Sequence, residues 1–224
     1  MKNIAQIIGS KCRAKRIAPL REMIKKIYKK YGKVSIIDVG GTKVYWNFIG
    51  EQFLNEKNVK ITLVNLPGTF INPKDDKIFI YIEADACDLS QFNDNSFNIA
   101  HSNSVIEHVG SWEQMQQCAK EIRRVGENYF VQAPYFWFPI EPHYMVPFIH
   151  WFSEQIRISL VMKFSIGHIE KAKNLNEAVN EVIHMNLPNQ TMFNQLFQDA
   201  KIRKEKVFGL TKSLVAIKNV AYNV

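Results

Sequence analysis

SIIDVGGTKVYW, residues 35–46, decides how this 224-residue chain is read. Ile36, Ile37 and Val39 make a short apolar run that carries one carboxylate, Asp38, and ends on the pair Gly40 and Gly41. Such a run closing on glycines is what a buried parallel strand feeding a ligand-binding turn gives. Most pockets of that kind hold phosphate, which a carboxylate would repel, so a ligand held here is expected not to be anionic at this point. A dinucleotide fingerprint needs glycines spaced GxGxxG to bring the backbone onto a pyrophosphate. Gly40 and Gly41 are adjacent, and neither that spacing nor the GxxxxGK[ST] of a P-loop occurs.

The flanking sequence repeats the theme. After KVSIIDVG, apolar positions at Val44, Trp46, Phe48, Ile49 and Phe53 predict a helix reaching the NEKN turn near residue 57. ITLVNL (61–66), KIFIYIEAD (77–85), FNIAHSNS (97–104) and NYFVQAPY (128–135) read as four further strands. The link between the second and third is too polar for a full helix. A clear helix precedes the fifth, starting at a Ser111 cap with Glu113 in its first turn. Residues 136–160 are rich in aromatics and proline, 190–200 look helical, and EKVFGLTKSLVAIKNV suggests a hairpin of two apolar runs separated by GLTK. The expected fold is α/β: a Rossmann-like, seven-stranded, mostly parallel sheet with helices on both faces and a C-terminal antiparallel hairpin.

Bulk numbers allow a full core, with 46% hydrophobic residues. Cys12, Cys87 and Cys118 are odd in number and far apart, which supports neither a disulfide framework nor a zinc knuckle. A cytoplasmic, reducing setting is expected, and no apolar run approaches the roughly 18 residues of a membrane span. The net charge of +8 is uneven: residues 1–33 hold eleven Lys or Arg against Glu22, and the rest of the chain sums to −2. Within that arm Ile17, Leu20, Ile24, Ile27 and Tyr31 recur at helical spacing, with Pro19 suited to a first helical turn. The reading is a basic helical arm, 1–33, packed on a domain of 34–224 whose aromatic-rich lid or acceptor region covers about 136–200. Its lysines face water or an anionic partner such as RNA, lipid headgroup or acidic substrate.

A cationic cofactor without phosphate fits Asp38. S-adenosylmethionine carries an ammonium and a sulfonium, and a strand-end carboxylate suits it by direct attraction or by holding loop amides. In IIDVGG, in YIEADACDLSQFNDNSFNIAHSNSVIEHV (81–109), in the helix and fifth strand, and in KVFGLTKSLVAIKN, the chain resembles the class I S-adenosylmethionine-dependent methyltransferases of type 11. The resemblance implies that Asp38, Gly40 and Gly41 form the loop under the methionine portion. It places Asn65 at the ribose, where the family usually has an acid. Asp85 and the Ala86 amide then meet adenine, while Ser102 and Asn103 line the reactive side. The family's further loop glycines are replaced by Thr42 and Val44.

Methyl transfer is an in-line displacement in which alignment supplies much of the rate. His108, beside Glu107 past the fourth strand, and His143, near Glu141 past the fifth, are candidates for base or acceptor positioning. The six histidines form no HxH or HExxH arrangement, so no metal is expected. Tyr135, Phe136, Trp137, Phe138, Tyr144, Phe148, Trp151 and Phe152 make either an acceptor roof or the core beneath a lid. A small-molecule acceptor, a metabolite or glycan precursor, is the leading reading. RNA or protein methylation is the first alternative, although HSNSVIEH lacks the signatures usual in RNA enzymes of this family. A non-catalytic scaffold or binding subunit is the second.

Overall fold

The computed structural model describes residues 4–71, 73–141, 144–183 and 185–219, the side chains of 4–15 excepted. Helix α1 (Ile4–Tyr31) leads into β1 (Val34–Val39), followed by α2 (Lys43–Asn47), α3 (Glu51–Glu56), β2 (Val59–Asn65), β3 (Phe79–Glu83), β4 (Phe97–Asn103), α4 (Trp112–Val125) and β5 (Gly126–Pro134). Helices α5 (Glu154–Lys163), α6 (Leu175–Ile183) and α7 (Gln190–Leu196) then precede the hairpin β6 (Lys201–Val207) and β7 (Leu210–Lys218).

The seven strands lie in the order β3-β2-β1-β4-β5-β7-β6. The first five pair in parallel and β7 runs antiparallel to both neighbours. The predicted sheet class is therefore present, with the chain reversing direction across the sheet between β3 and β4. All five parallel strands point their carboxyl ends at one edge, where open α/β sheets take their ligands.

Each face of the sheet is covered. On one, Leu20, Met23, Ile24 and Ile27 of α1 pack with Ile36, Trp46, Leu54, Ile61 and Ile99. On the other, Met115, Cys118, Ile122 and Val125 of α4 pack with Ile37, Ala100 and Val131, joined by Phe193 and Phe197. The α4 start is fixed by a capping box: Gln114 N donates to Ser111 Oγ at 3.3 Å and Ser111 N donates to Gln114 Oε1 at 2.8 Å.

Three local expectations change. Pro19 sits well inside α1 rather than in its first turn, where it forfeits a backbone donor without ending the helix because the flanking apolar stripe is buried on the sheet. The single helix expected after β1 is two short ones, divided at Gly50 with φ +95°. The hairpin turns at Phe208 and Gly209, φ +49° and +82°, so most of GLTK lies in β7. Two successive positive φ values suit a tight hairpin, and glycine supplies one without strain.

The described residues of 135–189, the expected lid, have a core of their own: Tyr144, Ile149 and Val161 pack with Ile166, Ala178 and Val182. Among the described residues no helix is long and apolar enough to cross a membrane, and no group of side chains could hold a metal ion.

Candidate functional site

The turn after β1 is built from the inside. Asp38 is fully buried. Its Oδ2 accepts from Trp46 Nε1 at 2.7 Å and its Oδ1 lies 2.6 Å from His101 Nδ1. An acceptor-only carboxylate requires the proton on that ring nitrogen. Tyr45 lies tilted against the His101 ring at 4.5 Å between centroids, Trp46 meets its edge at 5.1 Å and Phe130 lies nearly parallel at 5.9 Å. Burial and the Asp38 charge push the Tyr45 phenol above its ordinary range. Neither direct attraction to an ammonium nor support of loop amides describes Asp38, because both oxygens point into the α1 face of the sheet.

The glycine pair follows from that geometry. A Cβ on Gly41 would stand 1.7 Å from Asp38 Oδ2, and one on Gly40, φ +72°, would stand 2.4 Å from Val105. The turn's amides are used within the chain: Gly40 N donates to Val64 O at 2.7 Å and Gly41 N to Asp38 O at 3.4 Å. Asn65 closes it from the next strand, its Nδ2 donating to Gly41 O at 2.7 Å.

The remaining expected residues divide. Asp85 is exposed past β3, where its Oδ1 accepts Cys87 N at 2.8 Å, and Ala86 is its half-buried neighbour. Ser102 points the wrong way for the reactive side: it is buried and its hydroxyl donates to Val39 O at 3.1 Å, because alternation along β4 turns it into the core. Asn103, at the strand's end, receives Arg16 Nη1 at 3.1 Å. Arg16 is further held by Glu205 of β6 at 2.9 Å.

A cleft of ≈190 Å³ opens beside Arg16 at the ends of β4, β5 and β7, lined by Ser104, Gln132, Tyr135, Glu141, Lys212 and Ser213. Ser104 adopts φ +54° and its hydroxyl donates to Gln132 Oε1 at 3.0 Å. Glu141 is buried and accepts Tyr144 N at 2.8 Å. His108, 4.0 Å from Glu107 Oε1, instead faces a separate cavity of ≈260 Å³ with Asn180, Glu181 and Met185. His143 lies outside the described residues. Sequence reading missed Arg16, Gln132, Lys212 and Ser213. Gln132 was visible as a polar residue inside an apolar strand, but Arg16 gave no signal among ten other basic residues of its arm.

Residues 52–128 match the family described as a methyltransferase domain. No curated protein matches the chain by sequence. Among solved structures, a Haloferax volcanii methyltransferase found in complex with its activator superposes with TM-score 0.50 at 12% identity, over 82% of this chain and 80% of that one. An O-methyltransferase family protein from Burkholderia thailandensis gives 0.48 at 11% identity, over 91% of this chain and 56% of that one. A methyltransferase from Methanosarcina mazei gives 0.45 at 16%, over 83% and 91%. This chain thus spans little more than half of the Burkholderia protein. The match falls on the parallel part of the sheet, from α3 to β5. The matched segment, about a third of the chain, is similar to a methyltransferase domain, whose cofactor would be S-adenosylmethionine.

The residues present fit one end of that cofactor better than the other. Asp85 offers an exposed carboxylate and Asn65 retains its side-chain oxygen as an acceptor, which suits the adenosine end. Asp38 and the Gly40 and Gly41 amides, expected at the methionine end, are already engaged within the chain.

Proposed function

We propose that the chain transfers a methyl group from S-adenosylmethionine to a small-molecule acceptor, a metabolite or glycan precursor. The observation that carries this reading is the cleft beside Arg16, whose ≈190 Å³ lies below the roughly 300–1,000 Å³ of drug-sized pockets and suits a small polar molecule. Asn65 accepts from a ribose hydroxyl, and Asp85 with the Ala86 amide takes the adenine. Gly40 and Gly41 give the methionine portion a side-chain-free floor, with Asp38 bracing that floor from beneath. When bound, the cofactor supplies an electrophilic methyl on a sulfonium. The protein's own work is alignment: Arg16, held by Asn103 and Glu205, and Lys212 orient the acceptor, while Tyr135 and Phe138 keep water out. No proton transfer is assigned to His108, which faces another cavity.

Calorimetric titration with S-adenosylmethionine, followed by exposure of small metabolites, RNA and protein to labelled donor, tests the reading. Saturable binding and label in the small-molecule fraction are expected. Label in RNA or protein would move the acceptor to a macromolecule. The engaged amides of the first turn favour one second reading, a methyltransferase fold that serves as a binding subunit, and absence of saturable binding by the folded chain would select it.

A further inference from the structure

We propose that the lid, together with the first turns of α1, docks on an anionic lipid surface. The lid exposes a run of large apolar side chains: Trp137 at 56%, Met145 at 55%, Phe148 at 47%, Trp151 at 39% and Phe152 at 48%. Three of these adjoin as rings, with Trp137 and Trp151 5.9 Å apart and Phe148 and Trp151 4.9 Å apart. Glu141 is the one acid in residues 136–153, and it is 1% exposed; the stretch has no Lys or Arg. A monomer rarely leaves so many contiguous apolar groups in water without a partner for them.

Backbone conformation points the same way. Met145 and Phe148 have φ +51° and +65°, a region that is unfavourable for bulky side chains and tends to persist at functional sites. The strain is not offset by burial, since both side chains face solvent.

Charge selects the partner. Arg16 contacts the end of β4, so α1 continues from the carboxyl edge, where β5 leads into the lid, back to Ile4 over about 18 Å at 1.5 Å per residue. The sequence of that extension carries Lys11, Arg13 and Lys15 and no acid. A basic helical segment and an uncharged aromatic patch at the same sheet edge are the combination that interfacial proteins use, rings entering the headgroup region and cations meeting anionic lipid. Nucleic acid fits less well, because its sites interleave cations with the stacking rings, and these rings have no cations among them.

The test reads binding alone, so its result is independent of methyl transfer. The full chain is sedimented with vesicles of phosphatidylglycerol and phosphatidylcholine and with vesicles of phosphatidylcholine only. At least tenfold tighter binding to the anionic vesicles is expected, together with quenching of tryptophan emission by brominated acyl chains. Trp137→Ser combined with Phe152→Ser should weaken binding at least tenfold with an unchanged circular dichroism spectrum. Replacing Lys11, Arg13 and Lys15 by Gln should remove the anionic preference. No vesicle binding, binding retained in the Trp137/Phe152 variant, or a dimer of the free protein that this variant disperses would each overturn the proposal.

Discussion

Asp38 near the end of β1 and Asp85 just past β3 lie at the same edge of the sheet, yet the two turns treat their aspartates in opposite ways. Asp38 is drawn inward to Trp46 and His101, and its turn is sealed by Asn65 and by its own amides. Asp85 is left outside. Its turn is braced from behind, where Arg124 Nη1 and Nη2 donate to Phe92 O and Leu89 O at 2.7 and 2.9 Å and Glu121 Oε2 accepts Leu89 N at 2.9 Å. The same residue type at corresponding places is scaffold in one turn and an available ligand contact in the other. What separates them is whether the fold provides buried donors.

The contrast is broken most sharply at Asp38. Asp38→Ala leaves the Trp46 indole N–H and the His101 ring nitrogen unpaired in the interior, and should cost about 3–5 kcal/mol of stability in urea melts. Gly41→Ala alone should also destabilise by about 2 kcal/mol or more, since its Cβ would meet the carboxylate. If the carboxylate is the reason for the glycine, Gly41→Ala made in the Asp38→Ala background should cost far less than in the wild type. Additive losses would show that something other than Asp38 demands Gly41.

Asp85 should show the reverse pattern. Asp85→Ala is expected to weaken S-adenosylmethionine binding at least tenfold in calorimetry while stability stays within about 0.5 kcal/mol of wild type. A stability loss as large as that of Asp38→Ala would erase the distinction between the two turns. Unchanged affinity would remove Asp85 from the cofactor site.

These two aspartates also show what local sequence can reveal. The strands were legible because runs such as IIDV and ITLV are apolar enough to be buried on both faces. The direction of Asp38 was not, because it depends on His101 and Trp46, which come from another strand and a short helix that periodicity merged with its neighbour. Ser102 turns into the core, its hydroxyl donating to Val39 O, and nothing local in FNIAHSNS marks that phase of the alternation. The cleft itself joins Arg16 to Ser213 across almost the whole chain, and no local pattern announces such a meeting.

The smallest effect tests the brace behind the Asp85 turn. The hydrogen bond and charge of the Arg124 guanidinium, aided by the Leu89 amide, hold the Glu121 carboxyl below its ordinary range. A carboxyl depressed in the folded state contributes stability above its unfolded value, about 4.3, and that contribution is lost as pH falls through the folded value. Glu121→Gln keeps an oxygen for the Leu89 amide but removes the charge. It should cost about 1 kcal/mol at pH 7, less as pH drops below about 4, and flatten the acid limb of stability against pH. Urea melts from pH 7 to pH 3 measure this. Parallel curves for the two proteins would mean that the Glu121–Arg124 pair does not titrate with folding, and that the Asp85 turn is held by the Arg124 contacts to Leu89 and Phe92 alone.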